Sequence, residues 1–170
     1  MLANTQIGVE EYLALVLPDR PEPDYVHGEV VERALPTPIH AQIQILLGIL
    51  FAPLRKQARL ILMSELRVQI EPDVFRIIDF AVYRDRRPEG RFATAPAFIA
   101  IEIVSPDDSY NNLTERLDDY RRWGVPHVWL VDPWKKRLLE STEAGLLQRS
   151  SFTLPEFDFT LSAEDVFRDI

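Results

Sequence analysis

The chain has 170 residues, 46% hydrophobic and 27% charged, which suits one folded domain with a sizeable core and excludes a disordered chain. It has no cysteine, which excludes a disulfide framework and any thiolate metal site. A net charge of −8 argues against a general nucleic-acid-binding surface.

Basic residues nevertheless cluster locally: Arg55, Lys56 and Arg59; Arg84, Arg86, Arg87 and Arg91; Arg121 and Arg122; Lys135, Lys136 and Arg137. No apolar run is long enough to span a bilayer. The start, MLANTQIGVEEYLALVLPDR, has neither a basic opening nor a small-residue cleavage site. The expected location is the cytoplasm.

In chain order, Val9 to Leu17 predicts a short amphipathic helix closed by Pro18. Tyr25 to Arg33 alternates around Gly28 and predicts a strand or hairpin with a local bend. Thr37 is a good N-cap and Pro38 a good first helical residue. Behind them Ile39, Ile43, Leu46, Leu47, Leu50 and Leu54 recur at helical spacing, with Pro53 expected to kink or end the helix.

The period then changes to that of strands over Ile61 to Ile70 and Phe75 to Arg84, joined by a turn at Glu71-Pro72-Asp73. Arg84 to Ala95 is polar and reads as a loop. Ala97 to Val104 is a nearly continuous apolar run, as in a strand buried on both faces. Ser105-Pro106-Asp107-Asp108 ends it, and a helix follows to about Trp123, closed by Gly124 and Pro126. His127 to Val131 is a further apolar strand, stopped by Asp132-Pro133. The remainder suggests two or three short strands and a terminal helix opened by Ser162.

The strand–helix–strand unit from Ala97 to Val131 requires a crossover and hence a parallel pair, whereas the earlier strands favour antiparallel hairpins. The expectation is an α/β fold: a mixed β-sheet flanked by helices, as a single domain with its core over residues 12–145 and C-terminal strands and a short helix over 146–170.

Two carboxylates stand out. Asp79 is the only charge between Arg76 and Arg84, and Glu102 is the only charge in AFIAIEIV. Burying an ionised carboxylate costs several kcal/mol unless it is paired or binds a metal, so two on neighbouring strands suggest a shared partner. The competing reading is a buried ion pair or a carboxylate at a strand end. Strand alternation places Asp79 with Ile77 and Ala81, and Glu102 with Ala100 and Val104.

Arg116 falls on the apolar stripe of Leu113, Leu117 and Tyr120, and so points toward the sheet unless its head snorkels out. Glu29, after Gly28, is a further candidate ligand or ligand-orienting group. His40 lies at the edge of the long helix's apolar face and is a further candidate catalytic residue, the competing reading being a structural histidine. His27 and His127 show no zinc-site spacing. Trp123, Trp129 and Trp134 are candidates for core or interface packing.

Taken in order, YVHGEVVE, PTPIHAQI, FRIIDFAVYR, FIAIEIVSPDD and ERLDDYRRWGVPHVWLVDP resemble the Uma-type restriction endonucleases of the PD-(D/E)XK nuclease superfamily, from about Tyr12 to Gly145. The resemblance implies a restriction-endonuclease-like fold. It makes Asp79 the motif aspartate, Glu102 the acidic residue of the E-x-K half and Glu29 the acidic residue of the first segment. Val104 stands where the usual lysine would be, and Arg116 where the family's substitute lysine lies in the following helix. Ile78 replaces the proline that usually precedes the aspartate.

An arginine stays protonated, so Arg116 is a poor general base but can stabilise charge. The implied activity is Mg²⁺- or Mn²⁺-assisted hydrolysis of DNA phosphodiesters, with Asp79, Glu102 and the Ile103 carbonyl as metal ligands and Glu29 orienting a ligand or water. A homodimer is implied as well. The rival readings are an inactive nuclease fold used for binding or dimerisation, and a hydrolase of small phosphoesters.

Overall fold

The computed structural model describes residues 6–17 and 21–170. The first helix, α1, is Val9–Ala14, shorter than its periodicity suggests. Leu15 is already extended, and Pro18 lies outside the described residues. A hairpin of β1 (Asp24–Val26) and β2 (Glu29–Val31) turns at His27 and Gly28, both with positive φ. Helix α2 (Pro38–Phe51) starts as expected: the Thr37 side chain accepts from the His40 amide. Pro53 ends it and opens a single turn, α3 (Leu54–Gln57).

The long strands β3 (Leu60–Glu71) and β4 (Val74–Arg84) form an antiparallel pair around the Glu71-Pro72-Asp73 turn. Strand β5 (Ile99–Ile103) is fully buried. Helix α4 (Tyr110–Trp123) ends on Gly124 at φ +99°, a left-handed geometry that needs no Cβ there. Then come β6 (His127–Asp132), β7 (Arg137–Thr142), β8 (Gly145–Arg149), β9 (Ser151–Leu154), a 3₁₀ turn (Pro155–Phe157), β10 (Phe159–Ser162) and α5 (Ala163–Phe167).

The C-terminal segment therefore carries four strands rather than two or three. The exposed, polar β8 has little apolar alternation to announce it. Helix α5 has the capping box Ser162–Asp165.

Eight strands form one mixed sheet in the order β2-β1-β4-β5-β6-β7-β8, with β3 also paired to β4; β9 and β10 form a separate ribbon. Strands β5 and β6 are parallel, joined by the α4 crossover, and the other pairs are antiparallel. Strand β4 is buried from Val74 to Tyr83 because apolar layers cover both its faces. On one face Ile43, Leu47 and Phe51 of α2 pack with Phe80, Val82 and Ile101, joined by Trp129, which stacks on Phe152 at 4.3 Å. On the other, Leu113, Leu117 and Tyr120 of α4 pack with Ile78, Ala81 and Ala100. Trp129 is thus core, whereas Trp134 is half exposed.

One edge of β4 is covered by β3 along its whole length. The other edge is shared: β1 pairs at Val74 and Phe75, and β5 pairs at Phe80, Ala81 and Val82. Between them the sheet splays, and the ladder is replaced by side chains. Asp24 accepts from the Ile77 amide at 3.0 Å, and Asp79 accepts from the Ile103 amide at 2.8 Å. Ile78 and Ala81 belong to one core layer although three residues apart, so strict alternation does not hold across Asp79. The splay opens a polar interior within an apolar sheet.

Candidate active site

Charged groups from six segments meet at the splay. Asp79 of β4 and Glu102 of β5 are 2% and 0% exposed. Asp79 uses Oδ2 for the Ile103 amide and turns Oδ1 to the Arg33 guanidinium at 2.5 Å. Arg33 lies just beyond β2, and its other terminal nitrogen donates to Glu65 of β3 at 2.9 Å. His40, on the first turn of α2, brings Nε2 to 3.6 Å from Asp79 Oδ1 and 3.8 Å from Glu65 Oε1. Gln44, one turn on, donates to Glu65 Oε1 and to the Asp79 carbonyl. The nearest ligand atoms of His40, Glu65 and Asp79 lie within 4.8 Å of one another.

Glu102 faces α4. One oxygen accepts from Arg116 at 2.9 Å and the other from the Tyr120 hydroxyl at 2.9 Å. Arg116 is 6% exposed, as its place on the α4 stripe implies, and also reaches Asp108 at 3.3 Å. Asp24, 3.9 Å from Arg116 Nε, belongs to a second buried network with Arg76 and Asp119. A cleft of about 70 Å³, lined by Asp24, Arg33, Asp108 and Arg116 among others, adjoins the group.

The structure therefore brings together Asp79, Glu102, Arg116 and His40. Ile103 is present through its amide, which binds Asp79; the expectation concerned its carbonyl. Glu29 is placed outside the group: it is exposed on β2, opposite Val26 at the hairpin's turn. A three-residue strand at the sheet margin leaves its first side chain in solvent. The charged groups that this part of the chain delivers to the interior are Asp24 and Arg33. Glu65 was missed as well. Its signal is weak, because SELR breaks the apolar run of β3 as any edge-strand polar patch would.

The electrostatics follow from burial. Loss of water pushes the Glu102 carboxyl up to about 8, the Asp79 charge adds to this, and Arg116 opposes it. Burial likewise raises Asp79, against Arg33 and His40. At the more open Glu65 burial is outweighed by His40, Arg33 and Gln44, which hold its carboxyl near 2. Burial disfavours a charged His40, but Glu65 and Asp79 outweigh it and raise its pKa.

A raised carboxyl has a consequence for stability. Between about pH 4.5 and 8 the folded chain keeps a proton on Glu102 that the unfolded chain has lost, so stability falls as pH rises through this window. Glu102→Gln mimics the protonated form. Its amide oxygen accepts from Arg116, and Tyr120 can turn its hydroxyl to the Ile77 carbonyl, 3.4 Å away. The expected result, with no divalent ion added, is a flatter melting-temperature profile than wild type and a Tm at pH 8 higher by roughly 5 °C. Parallel profiles for the two proteins would contradict the raised carboxyl.

Comparison with known proteins agrees with the architecture. No curated protein sequence matches the chain. A crystal structure described as a "putative nuclease belonging to DUF820", from Anabaena variabilis, superposes with a TM-score of 0.78 at 22% identity, covering 95% of this chain and 98% of that one. At that identity the likeness shows the fold, a mixed sheet with flanking helices of a nuclease-like type. The Uma2 family model, described as "Putative restriction endonuclease", matches residues 9–170, and the chain belongs to that family.

Proposed function

We propose that the protein is an endonuclease that hydrolyses DNA phosphodiester bonds with the help of a divalent cation, Mg²⁺ or Mn²⁺. The observation that carries this reading is the placement of two fully buried carboxylates, Asp79 and Glu102, from adjacent strands at the splay of the sheet. Family membership favours the same reaction class. Asp79 fits a cation: the oxygen not held by the Ile103 amide already faces a positive group, Arg33. Glu102 fits less directly, since both its oxygens are engaged by Arg116 and Tyr120. When bound, a divalent cation supplies an acidified water and neutralises phosphate charge.

The chain's own groups supply the rest. Arg116, fixed by Glu102 and Asp108, is a permanent positive charge beside the cleft and stabilises the negative charge that develops on phosphorus oxygens. It takes no proton. Tyr120 and Asp108 keep Glu102 and Arg116 in place. The exposed apolar Ile45 and Ile49 on α2 are a surface on which two copies would pair to cut two strands.

The test is nicking of supercoiled plasmid by the full chain. Cleavage is expected with Mn²⁺ or Mg²⁺ and none with EDTA. A specific observation also favours a second reading, a nuclease fold retained for binding: each central acidic side chain is already engaged by an arginine, Arg33 on Asp79 and Arg116 on Glu102. Absence of cleavage with every divalent ion, by a folded protein, would select that reading.

A further inference from the structure

We infer that the cation of this site sits on His40, Glu65 and Asp79, not on the Asp79–Glu102 pair, that it is a nitrogen-accepting ion of the Mn²⁺ class, and that Arg33 holds its place until it binds. This rests on the proposed metal dependence and assigns its ligands.

Three observations converge on the set. Ligand atoms about 2.1 Å from one metal stand roughly 3.0 to 4.2 Å apart, from right-angle to opposite positions. His40 Nε2 lies at 3.6 Å from Asp79 Oδ1 and 3.8 Å from Glu65 Oε1, within that range. Second, His40 is 5% exposed and its Nε2 has no hydrogen-bond partner among the described residues, although a buried ring nitrogen ordinarily has one. Its Nδ1 faces the Ser105 hydroxyl at 3.5 Å, which leaves Nε2 as the atom aimed at the carboxylates. Third, Asp79 and Glu65 each direct one oxygen at the same guanidinium, that of Arg33, whereas both oxygens of Glu102 are turned to Arg116 and Tyr120 of α4.

Arg33 marks where positive charge is wanted. Its side chain is 7% exposed, and it bridges Asp79 and Glu65 while its own Nε lacks a hydrogen-bond partner among the described residues. Glu65 and Asp79 bring two negative charges to this point, and Arg33 meets them with one. A divalent ion at the Arg33 position, with His40 neutral as a ligand, balances them. The displaced guanidinium has the adjoining polar cleft to enter. An imidazole among the ligands disfavours Mg²⁺ and Ca²⁺, which prefer oxygen, and suits Mn²⁺, which accepts both.

The experiment is Mn²⁺ binding to the full chain, followed by electron paramagnetic resonance, with circular dichroism confirming that each variant is folded. One bound Mn²⁺ is expected, with ¹⁴N modulation of its spin echo that disappears in His40→Gln. Glu65→Gln, on a side chain 44% exposed and so safe for the fold, should weaken binding at least about tenfold. Arg33→Met should tighten it about tenfold by removing the competing charge, and Glu102→Gln should leave it within about threefold. Binding that survives His40→Gln and Glu65→Gln without ¹⁴N modulation, but is lost in Glu102→Gln, would overturn the inference and leave a metal-dependent nuclease with its ion on Asp79 and Glu102. Lack of Mn²⁺ binding by wild type and Arg33→Met alike would overturn the ligand set and the metal dependence together.

Discussion

Asp79→Asn is expected to lower plasmid nicking by about 10³-fold or more while the protein stays folded. The substitution keeps the shape of the side chain and its structural bond, because the amide oxygen still accepts from the Ile103 N–H. What it removes is the charge on the second oxygen, the atom shared by Arg33 and His40. The asparagine places an N–H against the Arg33 guanidinium, which retains Glu65 as its counter-ion. The stability cost should therefore be that of one charged hydrogen bond, about 1–3 kcal/mol, or a few degrees of Tm. Rate and melting temperature measured on one preparation separate the effects. A variant that melts a few degrees early and still nicks at the wild-type rate would remove Asp79 from the chemistry. A variant that does not fold would mean that Asp79 chiefly bridges the splayed strands.

The two central carboxylates were legible because each is the only charge in an apolar stretch, and the energetic cost of such a position leaves few explanations. Arg116 was legible because helix periodicity turns it inward with Leu113, Leu117 and Tyr120. The rest of the site depends on backbone events that no period encodes. Glu65 lies opposite Asp79, between the Ser64–Phe80 and Leu66–Ile78 pairs, and takes a positive φ within β3. Nothing in SELRVQI announces that irregularity. Arg33 follows a short edge strand, where a charged residue ordinarily faces water, and only the folding-back of the hairpin onto β4 buries it. The same hairpin overturns the expectation for Glu29, which stays outside beside the turn, while Asp24, at the start of β1 and without a signal of its own in the sequence, goes inside.

The largest loss of stability is expected from Arg76→Met, a change of little volume at a residue 3% exposed. Arg76 donates through Nε and Nη2 to Asp119, at 2.9 and 2.6 Å, and through Nη1 to Asp24 at 3.1 Å. Burial opposes its charge, but Asp24 and Asp119 outweigh it and raise its pKa further. The guanidinium thus ties β1 and α4 to β4 next to the splay. Methionine fills the space and leaves two buried carboxylates short of a partner. Asp119 keeps Arg122, and Asp24 keeps the Ile77 amide and a distant Arg116. Breaking a buried pair from one side costs about 3–5 kcal/mol, which corresponds to a Tm lower by about 10 °C in a chain of this size. Adding Asp24→Asn and Asp119→Asn to Arg76→Met removes the stranded charges and should recover most of that loss, since a buried pair removed as a unit costs little. Thermal melts of the single and triple variants decide it. A triple variant no more stable than the single one would mean that Arg76 acts through packing rather than charge. The single variant also bears on the active site, because an Asp24 released from Arg76 is free to move toward Arg116, 3.9 Å away, and to compete with Glu102 for it.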